Sequence, residues 1–293
     1  MKTAIIYHRV DWDGYTSAAV ALRAFPDAEL IGWTYGDPTP CVDSFDKVIL
    51  VDLSLSEDWM LQNASKLIWC EHHKNTIDRL MANPVLAAVP GIRRDGIGAC
   101  ALAWEYFFPK EELVHHVRFV ATADVMDRTM CVDTPLEVAL SYGLYLDTFG
   151  PGWSKETGDV SKHLVREAQR LFDYKECASG FSNGCTLEKT RQAHETELFK
   201  NKRITHIDNY EAVILQIDGR PNACILSHLL NNYADVFICV GDYLEDKEKY
   251  KVSLRVPEKS SFDASAFCRQ YGGNGHIKAA GCLMSKEEID ALL

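Results

Sequence analysis

The sequence predicts an α/β protein in three parts: an N-terminal, mostly parallel sheet flanked by helices, a helical linker, and a smaller C-terminal α/β domain. Short apolar runs alternate with helical patterns over the first third of the chain, the rhythm of parallel strands joined by crossover helices. A length of 293 residues exceeds the usual size of a single domain. The turn cluster Gly150-Pro151-Gly152 and a long polar stretch then separate this region from a second strand and helix rhythm.

Taken in order, the runs are Ala4 to His8, the helical Gly14 to Phe25, then Glu29 to Tyr35, Lys47 to Asp52 and Lys66 to Glu71. From Gly96 to Asp147 the apolar spacing turns helical, in pieces around Ala101 to Tyr106, Leu113 to Asp124 and Pro135 to Leu146. Val160 to about Arg203 reads as long polar helices, interrupted near Gly180 to Gly184. Strand patterns return at Ala212 to Ile217, Val236 to Gly241 and Tyr250 to Val256, with a helix at Ala223 to Asn232 and a glycine-rich loop at Gly272 to His276. The expected boundaries are residues 1–155 for the first domain, 156–204 for the linker and 205–293 for the second domain. There is no internal repeat and no low-complexity tract.

Composition narrows the function classes. Hydrophobic residues at 47% and charged residues at 25% are ordinary globular values, so a sizeable core is expected. A net charge of −11 argues against gripping long nucleic acid through a basic surface, and leaves small anionic substrates open if cations neutralise part of the site. No window has the apolar length of a membrane span, and the apolar start Ala4 to Tyr7 meets His8 and Arg9 too soon for a signal peptide. The ten cysteines contain no C-x-x-C pair, which fits reduced thiols in a cytoplasmic protein.

Three constellations carry candidate chemistry, each at the end of a strand pattern, which is where ligands bind in open α/β sheets. In His8-Arg9-Val10-Asp11-Trp12-Asp13-Gly14, alternate carboxylates project to one side and suit hard cations such as manganese or magnesium. The plainer reading makes an aspartate there the N-cap of the helix Tyr15 to Phe25 and His8 a surface residue. Val48-Ile49-Leu50-Val51-Asp52 ends in one carboxylate, a ligand or a turn residue beside Ser54 and Ser56. In Cys70-Glu71-His72-His73-Lys74, one imidazole can bind metal, its neighbour and Lys74 can address phosphate, and Glu71 can hold a ring tautomer. A solvated loop is the alternative.

The order and spacing of these motifs resemble the DHH phosphoesterase superfamily, with its H-x-x-D-x-D-G, strand-terminal aspartate and D-H-H. The matching residues are His8, Asp11, Asp13 and Gly14, then Asp52, then Glu71-His72-His73. The family's fourth motif places an aspartate on a helix, here Asp124 with Asp127 in reserve, and Gly272-Gly273-Asn274-Gly275-His276 through Gly281 resembles the glycine loop of the DHH-associated domain. Two positions depart from the pattern. Glu71 stands for the usual aspartate, and Asn274 for a glycine, a mild change because asparagine tolerates positive φ.

The resemblance implies two divalent cations, most often manganese, with magnesium or cobalt as options. One takes His8, Asp11 and Asp52; the other takes Asp13, Asp52, His72 and Asp124, so that Asp52 bridges. Such a pair lowers the pKa of a shared hydroxide for in-line attack on phosphorus. His73, Arg255, His276 and the backbone of Gly273 and Gly275 would meet the phosphoryl charge, across a cleft between two domains. The form of the motifs is most similar to family members that cleave short oligoribonucleotides and cyclic nucleotides; those acting on long single strands carry an extra domain for which the length leaves no room. The expected partner is therefore a small nucleotide or short oligonucleotide, with no membrane or long nucleic acid, and a homodimer left open. Pyrophosphate or polyphosphate hydrolysis is the alternative within the same chemistry, told apart by whether the site offers a flat platform for a base. A nucleotide-binding sensor without turnover is the alternative outside it. Of the nearby aromatics Trp12, Tyr15, Trp33, Tyr35 and Trp69, most are expected in the core.

Overall fold

The computed structural model describes residues 1–125, 134, 136–149, 160–217 and 234–292. The turn cluster at 150–152, the reserve ligand Asp127 and the helix expected over 223–232 lie outside the described residues. The chain divides into two units, the first built from Met1–Asp124 and continuing to Gly184, the second from Cys185 onward.

In the first unit, strands β1 (Thr3–His8), β2 (Glu29–Trp33), β3 (Lys47–Val51) and β4 (Leu67–Cys70) form a sheet in the order β2-β1-β3-β4. All three pairings are parallel. Parallel strands expose all their C-terminal ends at one edge, so His8, Asp52 and Glu71-His72-His73 meet there although they are distant in sequence.

Both faces of this sheet are covered, which is why its strands read as continuous apolar runs rather than alternating ones. Ile5, Tyr7, Ile49 and Val51 point to one face, under helices α1 (Trp12–Ala24), α5 (Ala99–Phe107), α6 (His115–Val125), α7 (Leu136–Phe149) and α8 (Val160–Arg170). Ala4, Ile6, Val48 and Leu50 point to the other, against Trp59 and Met60 of α2 (Glu57–Asn63) and Leu80 of α3 (Lys74–Met81). Leu86 of the short α4 (Pro84–Ala87) closes that layer. The two-residue period of a strand assigns successive side chains to opposite cores.

One sequence expectation is corrected. Helix α9 (Tyr174–Leu198) runs without a break through Gly180 and Gly184. These glycines are contact points, not interruptions: a Cβ on Gly180 would lie 2.5 Å from the Tyr145 ring, and one on Gly184 would lie 1.9 Å from the Ser141 carbonyl oxygen. Spaced four apart, both face α7 and let the two helices approach closely.

The second unit is a mixed sheet of β5 (Arg203–Ile207), β6 (Tyr210–Gln216), β7 (Val236–Leu244), β8 (Lys249–Arg255), β9 (Asn274–Gly275) and β10 (Ala279–Met284), in the order β5-β6-β7-β8-β10-β9. Among its described strands only β6 and β7 pair in parallel. Helix α10 (Ala264–Arg269), capped by Asp263 through the Ala266 N–H, packs Phe267 and Cys268 against one face. Helix α11 (Lys286–Asp290) opens on a capping box made by Ser285 and Glu288. The described cysteines are free thiols. Among the described residues no helix is long and apolar enough to cross a membrane.

Candidate metal centre

At the C-terminal edge of the parallel sheet the chain leaves β1 and turns at once into α1. A Cβ on Gly14 would lie 1.9 Å from the carbonyl oxygen of His8, so glycine is what permits this tight return. Asp11 is the N-cap of α1, its Oδ1 accepting from the Gly14 N–H at 2.9 Å, while its Oδ2 lies 3.0 Å from His8 Nδ1. The capping and ligand readings of this residue are thus compatible, one oxygen serving each.

Asp52 follows β3 with φ at +60°, in the left-handed region that aspartate tolerates better than most residues. This turn drives its carboxylate into the centre of the edge. Oδ2 lies 3.6 Å from His8 Nδ1 and Oδ1 lies 3.0 Å from His72 Nε2. His72 Nε2 in turn lies 3.4 Å from Asp13 Oδ2 and 3.6 Å from Asp124 Oδ2. His8, Asp11 and Asp52 form one convergent set and Asp13, His72 and Asp124 a second, the donor atoms of each lying within 4.8 Å of one another. Asp52 touches both.

These groups fit divalent cations on the structure's own terms. Both carboxylate oxygens of Asp52 and Nδ1 of His8 are buried with no aligned hydrogen bond, an arrangement that costs free energy unless something else satisfies them. The donors are carboxylate oxygens and imidazole nitrogens, the set that suits manganese and its neighbours. Asp11 and Asp124 keep 36% and 28% of their side-chain surface, so the site opens on that side.

The electrostatics show the same conflict. Asp13 is pushed up to about 7, first by burial and then by the charge of Asp52. Burial works to lower His8 and His72, yet both are raised well above 6.5 because the carboxylates around them outweigh it. Burial likewise opposes ionisation of Asp11, which the His8 imidazole nevertheless holds far below the usual carboxylate range.

Glu71 sits behind this layer. Its Oε1 accepts from the backbone N–H groups of His72 at 2.8 Å and His73 at 3.0 Å, and pairs with His73 Nδ1 at 2.8 Å; Oε2 accepts from Ser54 Oγ at 2.9 Å. The glutamate therefore reaches everything a support residue must reach. Burial acts against its charge, but His73 outweighs it and brings it down to about 2. Lys74, half exposed, bonds to Asp78 at 2.8 Å on α3. Ser56 caps α2, so the turn chemistry expected beside Asp52 belongs to its neighbour.

Sequence reasoning passed over the N-terminus of α5. Its first N–H groups, those of Ala99 and Cys100, hold both oxygens of Asp13 at 2.6 and 2.9 Å. Gly98 stands at that cap, and a Cβ there would crowd Ala121 Cα at 2.7 Å and Asp13 Oδ1 at 3.0 Å. Gly96-Ile97-Gly98 before a helical run was the available signal.

In the second unit, Arg255 ends β8 opposite Ala279, whose carbonyl accepts from the His276 N–H at 2.7 Å. The two sequence-assigned residues thus share one corner of that sheet. Arg255 Nη1 donates to Ser253 Oγ at 3.0 Å and to the Leu254 carbonyl at 2.6 Å. Positive φ falls on Gly272 (+72°) and Gly275 (+143°), not on Asn274, which pairs as strand with Gly281. The replacement of glycine at 274 therefore needs no conformational tolerance. A side chain on Gly273 would meet the Gly281 carbonyl at 2.2 Å, so this glycine answers to packing inside the unit.

No protein-family model matches the chain, and no curated protein sequence matches it. Among solved structures, the pGpG-specific phosphodiesterase PggH from Vibrio cholerae aligns with a TM-score of 0.54 at 15% identity, over 99% of this chain and 96% of that one. An uncharacterized protein from Helicobacter pylori G27 aligns over 97% and 93%, at 14% identity and a TM-score of 0.34. At such identities the first likeness speaks to the fold, and the second carries no argument.

Proposed function

We propose that this chain is a metal-dependent phosphodiesterase of the DHH type that hydrolyses short oligonucleotides or small (di)nucleotides. The observation that carries the reading is Asp52, whose two buried oxygens, neither in an aligned hydrogen bond, face the His8 cluster and the His72 cluster separately. A bridging carboxylate between two sets of hard donors is what a pair of divalent cations requires. The nucleotide substrate is taken from the likeness in fold to a pGpG-specific phosphodiesterase, together with the motif resemblance.

In this reading His8, Asp11 and Asp52 hold one cation and Asp13, Asp52, His72 and Asp124 the other, with manganese the first choice. Cations bound there would supply a water acidic enough to attack phosphorus near neutral pH. The protein's own part is positional. Asp13 is fixed by the α5 N–H groups and His73 by Glu71, which keeps the imidazole oriented towards a substrate phosphoryl oxygen. Arg255, Gly273, Gly275 and His276 are assigned to substrate phosphate in the second unit.

The test is direct: incubate purified protein with manganese and, separately, pApA, a cyclic nucleotide and pyrophosphate, and resolve the products. Mononucleotide released from pApA is the expected result. Turnover of pyrophosphate alone would move the reading to phosphoanhydrides, and tight nucleotide binding without product would make the chain a sensor.

A further inference from the structure

Of the five aromatics near the motifs, Trp69, Tyr15 and Trp33 are buried, and Trp12 packs edge-on against Tyr15 and His116. Tyr35 is different: it keeps 55% of its surface in solvent while standing beside the metal centre. Its ring lies 6.0 Å from that of His8, at an interplanar angle of 70°. Burial and the Glu71 carboxylate raise the pKa of its hydroxyl.

The segment that presents this ring is locked. Trp33, edge-on at 5.3 Å, backs it from the end of β2. Arg9 forms a two-pronged pair with Asp37, Nε and Nη2 both at 3.0 Å, and Asp37 Oδ2 also accepts from the Thr34 N–H at 3.0 Å. The Asp37 N–H returns to the Thr34 carbonyl at 3.0 Å, closing the turn through Gly36. At Gly36, which has φ at +100°, no residue beyond its two chain neighbours comes within 4 Å of where a Cβ would stand, so the tip of the turn is open.

The part of the ring left in water forgoes the free energy that its burial would contribute to the fold. It does supply a preorganised π-face with little entropy left to lose on binding. Resting on the phosphodiesterase reading above, we infer that Tyr35 is the platform on which a nucleobase of the substrate stacks. In a nucleotide the base stands one ribose away from the phosphate, and the ring stands one side chain away from the His8 ligand. Stacking is tolerant of base identity, so the platform selects nucleotides over base-free phosphoanhydrides without choosing among bases.

The experiment compares kcat/KM for pApA and for its abasic analogue in wild type, Tyr35→Phe, Tyr35→Leu and Tyr35→Ala with manganese, and measures AMP binding by equilibrium dialysis. Because the ring is exposed, the variants should melt near wild type; the leucine variant keeps apolar bulk without a π-face. The preference for pApA over the abasic analogue is expected to fall about ten- to a hundredfold in the alanine and leucine variants, through KM, and to survive in phenylalanine. AMP binding should weaken by a similar factor. An unchanged preference and unchanged AMP binding in Tyr35→Ala would overturn the platform while leaving the phosphodiesterase reading intact. If wild type cleaves neither substrate the phosphodiesterase reading fails, and AMP binding alone then decides for or against Tyr35.

Discussion

The carboxylate of Asp13 caps a helix to which it does not belong, its Oδ1 accepting from the Cys100 N–H at 2.9 Å at the start of α5. This contact places a fully buried negative charge, 2% exposed as a residue, where backbone N–H groups and the helix dipole favour it. Asp52 opposes it, and the balance leaves Asp13 at about 7. A folded pKa above the unfolded one means that the native state holds the extra proton, so the contribution of Asp13 is complete below about pH 4 and is lost as pH rises towards 7.

Metal-free protein should therefore lose thermal stability between pH 5 and pH 7 in a way that Asp13→Asn, uncharged throughout, does not. Manganese should raise Tm more at pH 7 than at pH 5, because it offsets a repulsion present only when Asp13 is ionised. Melts in EDTA and in manganese at both pH values check this. A manganese shift that is equal at the two pH values would contradict it.

Substitution of Asp52 tests the bridge. Asparagine is the informative change, since it tolerates the +60° backbone whereas alanine adds strain of roughly 1 kcal/mol or more. Asp52→Asn should lower turnover by two to three orders of magnitude or more, the scale for losing one preorganised charge, and should lower bound manganese. His276→Ala should weaken substrate handling and keep its metal. Elemental analysis of the dialysed proteins separates the two, and wild-type metal content in Asp52→Asn would speak against bridging.

His116 is buried between Thr16 Oγ1 at 3.0 Å from Nε2 and the Tyr142 hydroxyl at 2.8 Å from Nδ1, and burial lowers its pKa to about 3. Here the native state refuses a proton that the unfolded chain accepts, so the contribution is complete above about pH 6.5 and is lost as pH falls towards 3, at up to about 1.4 kcal/mol per pH unit. The gap in denaturant midpoint between wild type and His116→Gln should narrow steadily from pH 7 to pH 5. A gap independent of pH would show that the imidazole takes up its proton as readily in the fold as in the unfolded chain.

Gly184→Ala sets two effects against each other. Helix propensity alone favours alanine by about 1 kcal/mol, but the new methyl would have to occupy a point 1.9 Å from the Ser141 carbonyl oxygen. Overpacking at a backbone contact costs about 1 to 3 kcal/mol or more, so the variant should unfold at lower urea. A gain in midpoint would mean that α7 and α9 separate easily.

Much of this was legible without coordinates because it is written in local patterns. The parallel sheet announces itself in apolar runs such as Val48 to Val51, since strands buried on both faces admit no polar alternation, and each motif follows such a run. The Asp11 cap and the support role of Glu71 also depend on residues only a few positions apart. Gly180 and Gly184 were misread because glycine breaks an isolated helix yet joins packed ones, and the partner that decides between these lies some forty residues away in α7.

The amino-acid order by itself determined which groups are available: carboxylates and imidazoles at strand ends, with spacings that let alternate residues face one way. Only the tertiary structure decided that Asp52 stands between two clusters, that α5 steadies Asp13, and that Tyr35 alone among the five aromatics flanking the motifs remains strongly exposed. The physical reason is reach. Hydrogen bonds, charge pairs and burial act over a few ångströms in space, and for groups far apart along the chain the sequence does not say whether they meet.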